Sequence, residues 1–294
     1  MYDDEFDDDT RAGRRGKERR RPTGATRRDD LVREEQANGA GQEGGPFDDH
    51  GLNYLHRKGY LLDLGEQVRS GKEATVYRAR GPEGPLAAKV YSDLEVRGFQ
   101  TQDTYTAGRY IADRRVRRLL GSANRRGLDP DLAHWVHHEY RTLWQLHRAG
   151  VRVPAPAVGP DPVEMVNAGR VVLMEWVGDE EPAPRLSDTI LTEEQLQDAW
   201  RQSLEMVTRL LELGVVHGDF SAYNLLWWQE QVVLIDVPQA VDVDSHPNAG
   251  DLFDRDIGSL CSSFRSLGID ENPQLLAMEL RAQAGYPPSG PLSR

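Results

Sequence analysis

Two nearby stretches are the most informative about the fold of this chain: Val215-Val216-His217-Gly218-Asp219-Phe220-Ser221-Ala222-Tyr223-Asn224-Leu225-Leu226 and Val232-Val233-Leu234-Ile235-Asp236. Two apolar runs flank the polar pair Gln229-Glu230, a pattern that predicts a β-hairpin. Asp219 and Asn224, with four residues between them, come before the hairpin, and Asp236 ends its second run. The pattern therefore brings two carboxylates and one amide to the same end of a hairpin.

These three polar side chains fit the demands of phosphoryl transfer. That reaction requires phosphates to be clamped, a metal ion to be held and the attacking hydroxyl to be aligned. The spacing of the three residues is the one that kinase-type phosphotransferases use. We predict Asp219 as the base or hydroxyl-orienting group, and Asn224 and Asp236 as oxygen ligands of Mg²⁺. A lone Asp or Asn near a glycine is usually a turn residue, so it is the set that favours catalysis. His217 is predicted to brace the loop.

A lysine and a glutamate far apart in the chain form a second candidate pair. Lys89 lies in a predicted short strand at 86–91, where a lone lysine would normally be solvated. Glu139 lies on the apolar stripe of a helix predicted over 129–150 from its Asp-Pro start and its closing glycine. An unpaired buried charge is very costly. We therefore predict that Glu139 pairs with Lys89, and that Lys89 contacts the α- and β-phosphates of a nucleotide.

The segment between two predicted strands is a weaker candidate for phosphate binding. It reads Ser70-Gly71-Lys72-Glu73-Ala74-Thr75-Val76-Tyr77. Gly71 would let the backbone approach a phosphate closely. The segment is not a Walker loop, because Glu73 follows the lysine where Ser or Thr is required.

The composition excludes several other classes of protein. The chain has 294 residues, and its formal net charge of -12 argues against a surface built throughout for nucleic acid. The single cysteine, Cys261, excludes an internal disulfide and a cysteine-rich zinc site. No apolar run reaches the roughly 18 residues of a membrane span, and the first residues contain no signal-peptide core. We therefore expect a cytoplasmic protein that does not contact a membrane.

The order of charged and apolar segments predicts an α+β fold with two lobes. Residues 1–50 carry an acidic run and then a basic run, with almost no periodic apolar residue, so we predict a disordered charged tail. Residues 51–179 are predicted as an N-terminal lobe with a small antiparallel sheet and an arginine-rich, partly helical insertion at 97–127. Residues 180–285 are predicted as a mainly helical C-terminal lobe, and residues 286–294 as a flexible tail.

Apolar runs and capping signals locate the elements within these lobes. Thr192 to Gln195 has the form of a capping box, which opens a long amphipathic helix that Gly214 ends. Residues from Asp251 onward are predicted as mainly helical. The predicted strands are 61–64, 75–77, 86–91, 170–177, 225–228 and 232–235.

At these residues the chain resembles the RIO family of atypical protein kinases, over about residues 52–265. The insertion also looks like that family's loop before its Glu-bearing helix. Between Asp236 and Asp256 lie only residues 237–255, too few for an ordinary activation loop and its peptide-binding platform. The segments that carry the resemblance are Ser70 to Tyr77, Ala88 to Tyr91, His217 to Leu226, Ile235 to Ala240, Ser245 to Ala249 and Phe253 to Asp256.

The resemblance implies a two-lobed protein-kinase-like fold that binds ATP and Mg²⁺ in the cleft between the lobes. It also implies that Asp219 is catalytic, that Asn224 and Asp236 hold the metal, and that Asp256 and His217 support the catalytic loop. The residues implied to bind the nucleotide are Ser70, Gly71, Lys72 and Val76 over the phosphates, the ion pair of Lys89 and Glu139, and the hinge residues Met174, Glu175 and Val177, with adenine on the backbone of the last two.

Three functions remain open on the sequence alone. The first is a RIO-type enzyme. It would act either as a serine/threonine kinase on protein, itself included, or as an ATPase that uses Asp236 as the phosphate acceptor. In either case it would act near a ribosomal particle. The second is a small-molecule kinase of the aminoglycoside or choline type, which shares the His-Gly-Asp motif and the later Asn. The third is an ATP-bound scaffold that binds RNA or a ribosome through the insertion. The Ser-Gly-Lys-Glu loop and the Ile-Asp-Val-Pro-Gln run favour the first. The substrate, the RIO subfamily and the oligomeric state stay open.

Overall fold

The computed structural model describes residues 45–92, 114–121 and 130–292. Most of the predicted charged tail and the greater part of the arginine-rich insertion lie outside these residues, as does the predicted N-cap Asp129.

The described chain passes from a strand-rich lobe to a helix-rich lobe. The helices are α1 (His50–Arg57), α2 (Arg114–Gly121), α3 (Pro130–Arg148), α4 (Pro162–Asn167), α5 (Glu193–Glu212), α6 (Ala249–Leu267) and α7 (Pro273–Gln283). The strands are β1 (Asp63–Ser70), β2 (Ala74–Gly81), β3 (Gly84–Tyr91), β4 (Val171–Glu175), β5 (Val215–Val216), β6 (Leu225–Trp228), β7 (Gln231–Leu234) and β8 (Val241–Asp242). Short 3-10 helices lie at Leu186–Asp188 and Ala222–Asn224.

The N-terminal lobe is built on an antiparallel sheet in the order β1-β2-β3-β4. Strand β3 lies inside this sheet, and its Lys89 is opposite Val76 on β2 and Val172 on β4. The predicted strands at 75–77 and 86–91 are confirmed. The first strand was predicted too early and too short, at 61–64. Strand β1 pairs with β2 at the edge of the sheet, and most of its side chains are exposed and polar. Its sequence therefore lacks the apolar alternation from which a strand is predicted.

Helix α3 packs its apolar side against the sheet. Its buried residues Val136, Tyr140, Leu143 and Leu146 share one face. The Tyr140 hydroxyl accepts a hydrogen bond of 2.7 Å from the N–H of Leu173 on β4. This packing carries Glu139, the neighbour of Tyr140, into the interior, where its side chain is almost completely buried.

Strand β4 leaves the sheet through a turn that leads to the C-terminal lobe. Gly178 in this turn has φ +140°, and a Cβ there would lie 2.3 Å from the carbonyl oxygen of Glu181, so only glycine fits. The guanidinium of Arg78 on β2 stacks over the Trp176 ring at 5.1 Å and donates to the Glu180 carbonyl. These contacts fasten the sheet to the connection between the lobes.

Helices α5, α6 and α7 form most of the C-terminal lobe. The predicted capping box of α5 is confirmed, because Thr192 and Gln195 exchange side-chain-to-backbone hydrogen bonds of 3.1 and 3.2 Å. Trp200 of α5 packs on Phe264 of α6 with their ring centroids 4.9 Å apart. One hydrophobic cluster continues from the N-terminal sheet into these helices.

The predicted hairpin is present in strands β6 and β7. Gln229 and Glu230 between the strands have φ values of 50° and 59°, as a two-residue hairpin turn of the favoured twist requires. Residue pairing begins at Trp228 and Gln231, one residue earlier than the predicted start of the second strand.

The folded domain begins before residue 50, which corrects the predicted extent of the tail. Phe47 is 2% exposed, and its backbone N–H and C=O both bond to the side chain of Asn53. Asp49 caps α1 by accepting a hydrogen bond of 2.9 Å from the N–H of Leu52. Side-chain-to-backbone bonds of this kind leave no periodic pattern, and a composition argument therefore misses them.

The predicted flexible tail at 286–294 is wrong for residues 286–292, which pack against the C-terminal lobe. Tyr286 and Leu292 are buried. The guanidinium of Arg281 on α7 is also buried, and it donates to the carbonyls of Gly290 and Gly250 at 2.8 and 2.9 Å. A buried guanidinium needs such acceptors, and the closing segment supplies one of them. Within the described ranges, no helix is both long enough and apolar enough to cross a bilayer.

Candidate active site

Lys89 joins the two lobes through two carboxylates. Its Nζ lies 2.8 Å from Oε1 of Glu139 on α3 and 2.6 Å from Oδ1 of Asp236, which follows β7. Glu139 is 1% exposed, whereas 46% of the Asp236 side chain faces solvent. The predicted pairing of Lys89 with Glu139 is therefore present, and Asp236 completes a triad that the sequence analysis did not predict.

Burial and the attraction between opposite charges shift the pKa values of this triad in opposite directions, and attraction prevails at Lys89 and Asp236 but not at Glu139. Burial alone would lower the pKa of Lys89, but the charges of Asp236 and Glu139 raise it well above its usual range. Although part of the Asp236 side chain faces solvent, the protein packed around its carboxyl group would raise the pKa of Asp236; the attraction of Lys89 outweighs this and holds that pKa below its usual range. Burial raises the pKa of Glu139, and Lys89 offsets only part of that rise. Lys89 therefore stays charged at neutral pH.

Tyr91 is a site residue that sequence reasoning missed. It lies two residues after Lys89 on β3, so both side chains leave the same face of the sheet. The Tyr91 hydroxyl donates a hydrogen bond of 2.5 Å to Oε2 of Glu139, the carboxylate oxygen that Lys89 does not contact. Its ring lies 4.9 Å from the Lys89 ammonium. The Lys-x-Tyr spacing in a strand was the available signal, and only the position of α3 gives it meaning.

The loop after β5 brings Asp219 and Asn224 together. The Asn224 side-chain amide donates to the backbone carbonyl and to Oδ2 of Asp219, at 2.9 and 2.8 Å. Gly218 enters the loop with φ +82°, and a Cβ there would lie 2.8 Å from the Gln239 carbonyl oxygen. Asn224 is buried while Asp219 is exposed. The loop thus holds the Asp219 carboxylate in a defined position open to solvent.

Asp236 is tied to the same loop through the backbone. The N–H of Ile235 donates to the Asn224 carbonyl at 2.9 Å, so Asp236 leaves the hairpin beside Asn224. The φ angle of Asp236 is +66°, a left-handed conformation that costs a non-glycine residue about 1–3 kcal/mol. Strain of this kind persists only where the surroundings require it, and here it accompanies the contact with Lys89.

Asn224 and Asp236 offer the oxygen donors that Mg²⁺ prefers. Because the Asn224 nitrogen is engaged by Asp219, its oxygen Oδ1 is the atom available to a cation. Among the described residues there is no group of three or more His, Cys, Asp or Glu side chains that could hold a metal. Mg²⁺ commonly takes one or two protein oxygens and completes its shell with water and substrate phosphates. The pair therefore fits Mg²⁺ that arrives with a nucleotide.

Asp256 anchors the loop from α6. Its two carboxylate oxygens accept hydrogen bonds from the N–H groups of Gly218 and Phe220, at 2.8 and 3.0 Å. Burial raises its pKa, against the effect of these two bonds and of His217. His217 accepts from the Asp219 N–H through Nδ1 at 3.2 Å, and its buried Nε2 has no partner within the described residues. Asp256 therefore holds the loop backbone on both sides of Asp219, and His217 holds the backbone of Asp219 itself.

Residues 75–276 of the chain match the RIO domain family. The RIO-type serine/threonine-protein kinase Rio1 of Haloferax volcanii is 33% identical over 220 residues, which are 74% of this chain and 68% of that protein. The serine/threonine-protein kinase RIO1 of Caenorhabditis elegans is 31% identical over 217 residues, which are 73% of this chain and 40% of that protein. The chain thus spans less than half the length of this second relative.

The family match covers well over half of the chain. This chain belongs to the RIO family. Among solved structures, the Rio2 kinase–ADP/Mg²⁺–phosphoaspartate complex of Chaetomium thermophilum is similar, with a TM-score of 0.52, 20% identity, and coverage of 76% of this chain and 61% of that one. At this identity the likeness concerns the fold, and it confirms the predicted two-lobed, protein-kinase-like α+β architecture.

The loop between β1 and β2 of this RIO domain is a tight turn. The N–H of Gly71 donates to the Ala74 carbonyl at 2.9 Å, and the hydroxyls of Ser70 and Thr75 lie 3.4 Å apart. Gly71 and Lys72 are exposed. Val76 is half-buried directly opposite Lys89, so its side chain shares the face of the sheet that carries Lys89.

The connection after β4 of the RIO domain presents backbone groups near its turn. The N–H of Glu175 donates to the Ala155 carbonyl at 2.8 Å, and the Val177 carbonyl accepts from Ala183 at 2.9 Å. In the part of the chain that the structure describes, the N–H of Val177 has no such partner. Met174 is half-buried and the Glu175 side chain is exposed. Of the two residues predicted to bind adenine, Val177 thus offers a free donor, while the N–H of Glu175 is already used.

Proposed function

We propose that this chain is a RIO-type phosphotransferase that uses ATP and Mg²⁺ to phosphorylate serine or threonine of a protein, itself included, or to hydrolyse ATP. The observation that carries the proposal is the contact of one buried lysine with carboxylates from both lobes, beside the Asp219–Asn224 pair. Kinases require a lysine–glutamate pair and a metal-binding aspartate to be in place together.

In this proposal the N-terminal lobe binds the nucleotide. Lys89, held by Glu139, contacts the α- and β-phosphates. The turn from Ser70 to Val76 covers the phosphates, with Gly71 and Lys72 at its exposed tip. Adenine occupies the hinge at Met174 to Val177, and the N–H of Val177 donates to it.

The C-terminal lobe supplies the groups that act on the transferred phosphate. Asp219 accepts the proton of the attacking hydroxyl, or orients that hydroxyl, from its fixed and exposed position. Asn224 and Asp236 hold Mg²⁺, which when bound neutralises the charge of the phosphates. In the hydrolytic alternative, Asp236 attacks the γ-phosphorus and ADP leaves, and water then hydrolyses the acyl phosphate. Asp256 and His217 keep the loop in place.

The test is incubation of the purified protein with γ-labelled ATP and Mg²⁺, with protein-bound label and free phosphate followed together. Asp219→Ala is compared with the wild type, and Asp244→Ala, an exposed aspartate outside the site, is the matched control. Acid-stable label on the wild type and the control alone supports a serine/threonine kinase. Phosphate release with base-labile label supports hydrolysis through Asp236.

Absence of both signals, with nucleotide still bound, would contradict the proposed activity. It would favour either the scaffold or a small-molecule kinase, and a panel of aminoglycosides and choline added as acceptors would separate these two. Phosphorylation of such an acceptor in preference to protein would establish the second alternative.

Two substitutions separate nucleotide binding from chemistry. Asp219→Ala should abolish turnover while ATP still binds, because the base acts in the transition state. Lys89→Ala should weaken both, because Lys89 contacts the ground-state phosphates and stabilises Glu139. Titration with ATP and initial-rate measurement distinguish the two effects. An unchanged ATP dissociation constant in Lys89→Ala would exclude the phosphate-contact role.

We also propose that the arginine-rich insertion binds an anionic partner such as RNA or a ribosomal particle. The described part of it, α2, buries Val116 and Leu120 and exposes Arg114, Arg117 and Arg118 on its other side. Binding of an RNA oligonucleotide should fall as salt rises, with a logarithmic slope of about -0.7 for each phosphate contacted. Affinity that is independent of salt would exclude a phosphate-driven surface. A cytoplasmic location, which cell fractionation would test, suits both partners.

A further inference from the structure

Arg185 lies on the C-terminal-lobe side of the cleft, beside the proposed metal ligands. Its backbone forms a β-bridge with Leu226, two residues after Asn224, and the adjacent Pro184 carbonyl accepts from Trp227 at 2.9 Å. The 3-10 helix Leu186–Asp188 that follows packs against the 3-10 helix Ala222–Asn224. Arg185 is thus held next to the catalytic loop, and its side chain is only partly exposed.

Arg69 lies on the N-terminal-lobe side. It is the last but one residue of β1, directly before Ser70, and it pairs with Val76, which in turn pairs with Lys89. Its side chain is exposed. Arg69 is therefore placed at the edge of the turn that is proposed to cover the phosphates.

The two arginines approach the cleft from opposite lobes, and neither has a carboxylate partner within the described ranges. Across the described ranges, neither guanidinium lies within 4.0 Å of an Asp or Glu oxygen, whereas Lys89 already contacts two carboxylates. Burial is the larger cause that lowers the pKa of Arg185, and the positive charge of Arg69 lowers it further. The negative charges of Asp188 and Asp236 raise it, but by less. The positive charge of Arg69 thus disfavours the positive charge of Arg185, and the negative charge of Asp236 favours it.

We propose that Arg69 and Arg185 form a second cationic clamp that binds the phosphates of the nucleotide, one arginine from each lobe. An anion between two arginines relieves their repulsion, and a planar guanidinium matches phosphate oxygens with paired N–H donors. This inference rests on the proposed function, because it assumes that the cleft binds ATP. Neither residue belongs to the segments that carry the RIO resemblance. Arg69 directly precedes the first of these segments, and Arg185 lies between the segment that ends at Tyr91 and the one that begins at His217.

If the two arginines bind phosphate, replacing them should weaken the binding of ligands that carry phosphates and leave the binding of adenosine unchanged. The dissociation constants of adenosine, ADP and ATP are measured for the wild type and for Arg69→Gln, Arg185→Gln and the double variant. Each single variant should weaken ADP and ATP about tenfold, the size expected for loss of a charge-assisted hydrogen bond. Adenosine affinity should not change. Arg80→Gln, at the exposed far end of β2, is the matched control, and Arg69→Lys and Arg185→Lys should restore part of the loss.

Other outcomes overturn the clamp in distinguishable ways. Wild-type binding of ADP that the variants leave unchanged excludes it while sparing the proposed function. Equal loss for adenosine and ADP means that the arginines shape the pocket and do not bind phosphate. Unchanged nucleotide affinity with a raised KM for an acidic protein substrate assigns the arginines to the acceptor. Failure of the wild-type protein to bind any of the three ligands defeats both the clamp and the proposed function.

Discussion

Tyr91 donates its hydroxyl hydrogen to the same carboxylate that binds Lys89, and this shared contact is testable at the scale of one residue. Tyr91→Phe removes one oxygen atom and leaves Oε2 of the buried Glu139 without its donor. A hydrogen bond to a charged group contributes about 1.5–3 kcal/mol, so we expect the free energy of unfolding to fall by about that amount. We also expect ADP affinity to fall severalfold, because Glu139 no longer holds Lys89 in one position. Urea denaturation and ADP titration measure the two effects.

A double-mutant cycle provides the control for Tyr91. In a Glu139→Gln background the charged acceptor is absent, and Tyr91→Phe should then cost clearly less than it does in the wild type. The same cost in both backgrounds would mean that the ring of Tyr91, and not its hydroxyl, stabilises the domain.

At the scale of the element, Arg281 determines how α7 and the chain after it pack. Its guanidinium is 1% exposed and contacts Asp254 of α6 at 2.6 Å as well as the Gly250 and Gly290 carbonyls. Arg281→Met should lower the free energy of unfolding by about 3 kcal/mol, at the lower end for a broken buried pair because Asp254 is half exposed. Urea denaturation measures this.

The matched comparison for Arg281 is Arg265→Met on α6. Arg265 pairs with Asp270 at the surface, where both side chains are exposed. Surface pairs contribute about 0–1 kcal/mol, so this variant should remain close to the wild type. Similar losses in both variants would show that burial of Arg281 is not what makes its contacts valuable.

At the scale of the whole molecule, nucleotide binding should stabilise the domain, and Cys261 can report it. This cysteine of α6, the single one in the chain, is 1% exposed, and burial raises the pKa of its thiol. The pKa of a cysteine thiol in an unfolded chain is about 8.5. As the pH rises above that value the unfolded chain loses its proton first, so the free energy of unfolding falls. The thiolate is the form that reacts with an alkylating reagent. At about pH 8.5 the reagent therefore modifies Cys261 in molecules that have opened and exposed it, and the rate of alkylation measures this opening.

Mg·ATP at about 100 times its dissociation constant should add about 2.7 kcal/mol and slow the alkylation of Cys261 roughly a hundredfold. EDTA should remove most of this protection, because Asn224 and Asp236 then have no cation to share with the phosphates. Lys89→Ala should reduce the protection at the same ATP concentration. Protection that survives EDTA in full would contradict the assignment of the metal ligands.

The sequence alone determined the elements whose signals are local. The hairpin with Gln229-Glu230, the capping box at Thr192 and the stripe of α3 were predictable because each depends on residues a few positions apart. The predicted pairing of Glu139 with Lys89 followed from the cost of a buried charge. The RIO resemblance added the assignment of the fold.

Other contacts between distant elements could not be predicted from the sequence and became visible in the three-dimensional structure. Tyr91 is unremarkable in its strand, and it becomes a site residue because α3 carries Glu139 to its hydroxyl. The contact of Asp236 with Lys89 spans the two lobes, and Arg69 and Arg185 are likewise placed beside the cleft by different lobes. Burial of Phe47 and Tyr286 depends on side chains elsewhere that bond to the backbone near them. Such contacts leave no periodicity in the sequence, because they depend on where the lobes and helices pack.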